Sequence, residues 1–392
     1  MAQLTCVYCF EKFQPQEIQF RCLNPNPVAC SYEQDEPLER YVGKSLIPQP
    51  RVFPAASNSG IPTRATCTCG LSSNKAVCPR CHNELPNQFG QTDEIIVALI
   101  GAKSVGKSHY ITVLIHELKN RIGAWFNASL TASSEETIRR YNEDFSRFIY
   151  QRAEIIPGTF SARAQIKVRY PLVFRLDMDK KTFFGTQRKI IHLVFFDTAG
   201  EDLASLDLMS TETRYIANAD GLIFLLDPLQ IPAVRQQVPA GVNLPPEGYD
   251  QSQIIERASV LIQQMNALKP NQKIDIPVAV AFSKIDALRS VVDASLLQAS
   301  RHHGFLDLSD VEMANGWFKG YVGEWMGMNM VNILNNLYRE FSFFGLSALG
   351  DSPDHAGRLR QGVNPFRIED PLLWILYKKG LISARKTRKN SL

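Results

Sequence analysis

The chain has 392 residues, 45% hydrophobic and 21% charged, with 43 Lys plus Arg against 39 Asp plus Glu. That profile excludes a disordered or collagen-like chain, and the length predicts two or three domains, one large enough to bury a core without disulfide staples. The net charge of +4 is carried by Arg385, Lys386, Arg388 and Lys389 in the last ten residues, so the body is neutral and gives no electrostatic footprint for nucleic acid.

All eight Cys lie in the first 81 residues, and ten of the 22 Pro precede residue 91. Composition therefore predicts a boundary near Gly90, with a loop-rich Cys module over residues 1–90 and a conventional domain over residues 91–382. Residues 383–392 form a basic tail, expected to be a solvated terminus. Apolar runs such as Ile95–Ile100 and Leu222–Leu226 are strand-length, far short of a bilayer span. No basic start followed by an apolar stretch marks a secretory signal, so a cytoplasmic protein is expected. In such a reducing compartment clustered Cys read as metal ligands before disulfides.

The Cys are spaced as C-x2-C at Cys6/Cys9, single Cys22 and Cys30, C-x-C at Cys67/Cys69 and C-x2-C at Cys78/Cys81. Eight thiolates make two tetrahedral zinc sites. Two pairings are open. One is sequential, Cys6, Cys9, Cys22 and Cys30 and then Cys67, Cys69, Cys78 and Cys81; in the other, the outer pairs Cys6/Cys9 and Cys78/Cys81 close around the inner four. His82 follows a ligand and is read as a bystander, since eight Cys complete both sites. Pro-, Ser- and Asn-rich residues 31–66 predict an irregular excursion. With two tetrathiolate zinc ions the first 90 residues carry a charge of about −3, suited to a structural or protein-binding role rather than to nucleic acid.

From Thr92 the pattern changes. The buried-type strand Ile95–Ile100 runs into Gly101-Ala-Lys-Ser-Val-Gly-Lys-Ser108, followed by helical spacing at Ile111, Leu114, Ile115 and Leu118. Strand, G-x4-G-K-S and helix are the context of a phosphate-binding loop. Gly101 and Gly106 permit close backbone approach, the N–H groups from Lys103, Ser104 and Val105 onward can face phosphate, Lys107 can bridge β and γ oxygens, and Ser108 can hold Mg²⁺.

Three later strands end in further motifs. Lys189–Phe196 leads into Asp197-Thr-Ala-Gly-Glu-Asp202, where Asp197 can hold Mg²⁺ through water and the Gly200 N–H can meet a γ-phosphate. Ile276–Phe282 leads into Ser283-Lys-Ile-Asp286; a carboxylate at Asp286 accepts the two hydrogens on the guanine edge that adenine lacks, and the Lys284 stem covers the base. Phe341–Gly345 leads into Leu346-Ser-Ala-Leu-Gly350, where Ser347 and Ala348 match a small dipeptide whose backbone N–H meets guanine O6. Ser283-Lys-Ile-Asp286 resembles the N/T-K-x-D guanine motif, with Ser283 where Asn or Thr is usual.

Four motifs in this order make Thr92 to about Gly350 similar to the P-loop GTPases of the translation-factor and Ras-like class. The resemblance implies an α/β fold with a doubly wound, mostly parallel sheet and helices on both faces. It also implies GTP/GDP and Mg²⁺ as ligands and a regulatory GTPase that switches its contact with a protein partner. Thr159 in Ile-Pro-Gly-Thr is the expected switch Thr completing Mg²⁺ coordination, with Ser161 as fallback; Lys107, Thr159 and Glu201 form the expected catalytic set. Glu201 replaces the water-orienting Gln and predicts slow hydrolysis. Arg152 and Arg163 flank Thr159 as candidate stimulatory arginines, each also readable as a solvated side chain. The zinc-bearing N-terminus and the terminal Asp370-Pro-Leu-Leu-Trp374 resemble bacterial double-GTPases encoded beside a second GTPase, which makes a second GTPase, or a second copy of the chain in a dimer, a partner to consider. A non-enzymatic zinc-ribbon adaptor with a degenerate pocket, or a P-loop ATPase, are the competing readings.

Remaining elements complete the expectation. Ser133–Gln151 has helical spacing behind a capped start. Gln165–Met178 alternates, pauses at Asp179-Lys-Lys and pairs antiparallel with a run resuming at Lys189. Gln230–Gln253 reads as a surface insertion. Asp310–Glu340, with Trp317, Phe318, Trp325, Met326 and Met328, reads as core helix, with an exposed partner-binding helix as the alternative. Pro371–Tyr377 reads as a docked terminal helix.

Overall fold

The run Ile95–Ile100 is buried along its whole length, and its side chains alternate between two separate cores: Ile96, Ala98 and Ile100 enter one, Ile95, Val97 and Leu99 the other. A strand apolar on both faces belongs in the middle of a sheet covered on both sides. That is its place in the computed structural model, which describes residues 3–55, 60–158, 170–182, 185–196, 210–239, 242, 244–246 and 251–387.

Seven strands form the main sheet: β1 (Asp93–Ile100), β2 (Ser129–Ala132), β3 (Leu172–Thr182), β4 (Gly185–Phe195), β5 (Gly221–Leu226), β6 (Val278–Phe282) and β7 (Phe341–Gly345). Their order is β2-β3-β4-β1-β5-β6-β7. β4, β1, β5, β6 and β7 run parallel, in registers such as Val97↔Phe195, Val97↔Gly221, Leu222↔Val278 and Val278↔Phe341. β2 and β3 add an antiparallel edge. This is the mostly parallel, doubly wound α/β sheet expected.

Helices cover both faces. On the face of Ile95 lie α1 (Lys107–Glu117), the helix running from α2 (Glu135–Arg140) into a wider-turned π segment at Tyr141–Gln151, and α7 (Asp370–Lys378). The other face carries α3 (Thr211–Ala217), α4 (Gln251–Met265) and α6 (Asn329–Leu337). α5 (Leu308–Met326) wraps the β7 edge, with Val311 in one core and Phe318 in the other, and so covers an otherwise open strand edge. Gly345 is required beneath it, since a Cβ there would overlap the Phe318 ring.

Several expectations need correction. β3 does not pause at Asp179: it continues through Thr182, and its partner begins at Gly185, because the twisted hairpin stays paired beyond the buried part of the sheet. Residues 165–169 lie outside the described part. The edge strand β2 has little apolar signal, being only four residues with one buried side chain. Gly327 (φ +76°) ends α5 and separates it from α6; Phe318 and Trp325 are core, whereas Trp317 and Met328 are exposed. The basic tail is docked as far as Thr387. Ala384–Arg385 pairs in parallel with Leu306–Asp307, and the Thr387 hydroxyl donates to Asp307 Oδ2 at 2.6 Å.

The N-terminal module is more ordered than its composition suggests. Gln19–Arg21 lies between Val52–Pro54 and Ala76–Val77 in a small antiparallel sheet. Within the expected irregular excursion, Asp35 caps a helix at Glu36–Val42 by accepting the Leu38 N–H at 3.1 Å. Asp35 also takes Arg21 Nη2 at 2.7 Å and faces His82 Nδ1 at 2.7 Å. His82 is thus a brace on a buried ion pair and no member of either thiol group. The module's core is continuous with that of the sheet face carrying Ile96.

Candidate functional site

The C-terminal ends of β1, β5, β6 and β7 open into one cavity of about 540 Å³, in the size range of small-ligand sites. In parallel sheets this is the edge where ligands bind. It is lined by Lys103–Tyr110, Ile155–Gly158, Ser283, Lys284, Asp286 and Leu346–Leu349, with Leu229 and Leu244–Pro246 from the insertion after β5. Residues drawn from three of the four sequence motifs therefore meet in one place.

The loop from Gly101 to Ser108 is built by close approach and unusual backbone angles. A Cβ at Gly101 would strike the Leu225 carbonyl, so only Gly lets β1 leave the sheet beside β5. Ser104 (φ +65°) and Gly106 (φ +95°) turn the chain into the N-terminus of α1, where the helix dipole and open N–H groups favour an anion. Val105 is buried and anchors the loop from below, while Lys103 and Ser104 are exposed at its crest. Lys107 Nζ donates to the carbonyls of Gly101 at 2.8 Å and Ala102 at 3.1 Å, which holds the ammonium across the mouth of the loop. Ser108 is buried one turn into α1.

On the opposite wall, Lys284 Nζ donates to the Ser104 carbonyl at 2.9 Å and pairs with Asp227 Oδ2 at 2.5 Å. The side chain is thereby stretched along the cavity. Asp286 lies beyond it. Burial pushes its carboxyl above the usual range, opposed by a hydrogen bond from Ser347. The Ser283 hydroxyl donates to the Leu226 carbonyl at 3.1 Å, so its proton ties the end of β6 to the end of β5. The Ser347–Gly350 turn is fixed by mutual backbone bonds between Ser347 and Phe366 at 3.1 Å and by the Gly350 N–H on Ser347 Oγ at 2.8 Å.

Two residues at or behind the cavity wall, His109 and Asp227, carried little signal in sequence. His109 Nε2 accepts the Ile156 N–H at 3.1 Å, tying α1 to the segment just before Thr159. Burial, followed by the Lys284 charge, lowers its pKa to about 4, so it stays a neutral acceptor. Asp227 stood in the sequence only as the end of an apolar strand. Thr159, Ser161, Arg163, Asp197, Gly200 and Glu201 lie outside the described residues. Arg152 lies over the Phe148 ring, 5.2 Å from its centroid, and does not line the cavity.

The eight thiols form the nested pairing and exclude the sequential one. Cys6, Cys9, Cys78 and Cys81 make one group, and Cys22, Cys30, Cys67 and Cys69 the other; within each, all sulfurs lie within 4.8 Å of one another. Sγ separations are 3.8 Å for Cys6–Cys81, 3.9 Å for Cys9–Cys78 and 3.6 Å for both Cys22–Cys69 and Cys30–Cys67. A tetrahedral Zn–S bond near 2.3 Å puts sulfurs about 3.8 Å apart, so both groups fit zinc. Backbone N–H groups two residues on, from Tyr8, Asn24 and Arg80, donate to Cys6, Cys22 and Cys78 Sγ at 3.3–3.4 Å, an arrangement that favours thiolate. Burial pushes the Cys6 and Cys81 thiols well up, so a cation is what makes four thiolates tenable there.

The chain is 28% identical over 328 residues to "Putative ESX-1 scaffolding and assembly protein SaeC" of Mycolicibacterium smegmatis, covering 78% of this chain and 80% of that one. Among solved structures it overlays on the small GTPase Arl6 of Trypanosoma brucei (TM-score 0.29, 10% identity, 74% of this chain and 99% of that one). It also overlays on the GTPase-like domain of Ski7 from S. cerevisiae (0.28, 12%, 76% and 52%). Overlaps this slight carry no argument. Residues 95–320, more than half the chain and the whole span from β1 into α5, match Double-GTPase 2, and the chain belongs to that family.

Proposed function

We propose that this protein is a regulatory switch that binds GTP with Mg²⁺ and hydrolyses it slowly to GDP and phosphate. The observation that carries the reading is the convergence of Lys107, Lys284 and Asp286 on one cavity at the C-terminal ends of parallel strands. In this reading the N–H groups around Lys103, Ser104 and Val105 cradle the β-phosphate between Gly101 and Gly106, and Lys107 spans the β and γ oxygens. Ser108, Thr159 and Asp197 hold Mg²⁺. Asp286 reads the guanine edge, the Lys284 stem covers the base, and O6 falls to the Ala348 N–H, because that of Ser347 is committed to Phe366. Gly200 senses the γ-phosphate. Glu201 in the water-positioning place lacks a donor for the transferring phosphoryl, which keeps turnover slow.

The two four-thiol groups hold zinc as a structural arm of residues 1–90. That module, residues 91–382 and the docked tail act together on a protein partner, for which the likeness to an ESX-1 scaffolding and assembly protein supports a component of a protein assembly. A second GTPase or a second copy of the chain meets the same description, and the absence of any helix apolar enough to span a membrane, among the described residues, accords with a partner met outside the bilayer.

Phosphate release from GTP and from ATP, by the full chain and by Lys107→Ala, tests the proposal. GTP turnover above that of the variant is expected. Turnover with neither nucleotide sinks the enzyme reading and leaves an adaptor; preference for ATP overturns the base assignment alone.

A further inference from the structure

The two thiol groups stand on different ground. Cys22, Cys30, Cys67 and Cys69 lie at a tip with Leu23, Val28 and Leu71 exposed around them. Cys6, Cys9, Cys78 and Cys81 instead sit against the nucleotide-binding sheet. The turn after Cys6 presses on α3, the helix that follows the D-T-A-G segment. Arg214 Nε donates to the Cys9 carbonyl at 3.1 Å, Asn218 Nδ2 to the Phe10 carbonyl at 2.9 Å, and Arg214 pairs with Glu11 at 3.4 Å. The Phe10 ring packs against both Tyr215 and Phe196, with centroids 4.9 and 5.7 Å away, and those two rings also meet each other at 5.4 Å.

Tyr215 connects this turn to the strands of the nucleotide site. Pairing between β1 and β4 ends at Val97↔Phe195, where the two strands separate. The Tyr215 hydroxyl occupies the fork. It donates to the Val97 carbonyl and accepts the N–H groups of Leu99 at 3.3 Å and Phe196 at 3.2 Å. Leu99 is two residues before Gly101, and Phe196 is one residue before Asp197. One phenol thus spans the roots of the phosphate loop and of the D-T-A-G segment.

We propose that the Cys6–Phe10 turn is a latch: a metal ion in the Cys6/Cys9/Cys78/Cys81 group holds Phe10 against Tyr215, and Tyr215 in turn holds the roots of both nucleotide motifs in register. The turn needs that ion to keep its shape. Phe10 has φ +58°, a left-handed conformation that is strained for a non-Gly residue. Two backbone bonds close the turn, Phe10 N–H to the Cys6 carbonyl at 3.1 Å and Cys6 N–H to the Glu11 carbonyl at 3.0 Å, but neither ties it to Cys78 and Cys81. Four thiolates on one ion fix Cys6 and Cys9 relative to Cys78 and Cys81, and the bulky ring is then presented at a set angle. Release of the ion frees Phe10 to leave the left-handed region and withdraws the packing beneath Tyr215. Tyr215 and Phe10 are positioning residues in this scheme; neither touches the nucleotide cavity.

Hydrogen exchange of the Leu99 and Phe196 amides reads the latch without any nucleotide, so its failure is separable from failure of the GTP reading on which the functional consequence rests. The full chain is compared with two zinc ions bound, with Cys67→Ser, which weakens the tip group, with Cys9→Ser, which weakens the group under α3, and with Phe10→Leu. Zinc per chain is counted in each. Cys9→Ser and Phe10→Leu are expected to speed exchange at both amides by about tenfold, and Cys67→Ser to leave them unchanged. Because a Cys9 variant could lose the whole module, Phe10→Leu decides: with both zinc ions retained and exchange at Leu99 and Phe196 unchanged, the latch is overturned. Equal acceleration by Cys67→Ser overturns it as well, by showing a general loss of module stability. Where the chain binds GDP, Phe10→Leu is further expected to release it several-fold faster.

Discussion

Lys284, on the wall of the cavity, and Asp227, behind it, are joined Nζ to Oδ2 at 2.5 Å, with the carboxylate wholly buried. The same Asp227 accepts the Leu229 N–H through Oδ1 at 3.0 Å, so one carboxylate orders both Lys284, which the proposal places over the base, and the start of the insertion after β5. Loss of a charge-assisted bond costs about 1.5–3 kcal/mol, more where the remaining group is buried. Asp227→Ala is therefore expected to raise the rate of GDP release by about tenfold or more. Asp227→Asn, which still accepts from Lys284, should fall between. Stopped-flow release of a fluorescent GDP checks the order; equal rates in all three proteins would mean that Lys284 does not need its partner.

His109 makes a second expectation. Its Nε2 accepts the Ile156 N–H, and its pKa near 4 keeps it an acceptor throughout the physiological range. A net hydrogen bond of about 1 kcal/mol corresponds to a change of about fivefold. His109→Ala should release GDP faster by about that factor, and His109→Gln, whose amide oxygen can reach the same N–H, should recover part of it. Because the histidine is neutral well above pH 5, the ratio of variant to wild-type rates should be flat from about pH 6 to about pH 8. A ratio that changes across that span would show that His109 carries charge in the complex.

These two residues mark how far the sequence reaches. The strands and the phosphate loop were legible because each is a local pattern: β1 is a continuous apolar run, and Gly101 to Ser108 follows it directly. The metal groups were legible in count, yet their pairing was not, since Cys6 and Cys81 are 75 residues apart and only the fold decides whether they meet. Asp227 and His109 act through partners 57 and 47 residues away. Tyr215 had no local signal at all, because its role is to fill a fork between two strands that sequence periodicity cannot show diverging. The hairpin β3–β4 outran its apolar core, and the tail at Ala384–Arg385 found a strand partner at Leu306–Asp307, both held by backbone bonds that leave little compositional trace.

Asp286 gives a prediction about pH. Burial raises its pKa above that of an exposed carboxyl, and it must be ionised to accept the two guanine hydrogens. Acidification therefore protonates it earlier than a surface Asp, and GDP affinity should begin to fall at a pH above that at which an exposed carboxyl, with a pKa of about 3.9, would take up its proton. Asp286→Asn should bind GDP weakly at every pH and lose that dependence. Isothermal titration of both proteins over the range is the check, with an unchanged slope in the variant assigning the pH effect to another group.

The last prediction concerns the buried ion network that clips α7 to α5. Arg367 Nη2 lies 2.8 Å from both Asp310 Oδ2 and Asp370 Oδ2, and His302 Nε2 lies 3.3 Å from Asp370 Oδ1. Although His302, Asp310 and Asp370 could be drawn as a metal triad, the Arg367 guanidinium stands 2.8 Å from both carboxylates and is the cation they already face. Burial disfavours charge on His302, yet Asp370 above all, with Glu369 and Asp310, raises its pKa above the ordinary value. Raised in the folded state, this histidine adds stability that is fully present below its unfolded pKa of about 6.5 and is lost as pH rises through the higher folded value. Urea unfolding of the wild type should therefore weaken from about pH 6 upward in a step that His302→Gln lacks. Asp370→Asn should cost up to about 3–5 kcal/mol, because it removes one of the two carboxylates facing the buried Arg367 and the acidic partner of His302. If His302→Gln keeps the step, the network is not its source.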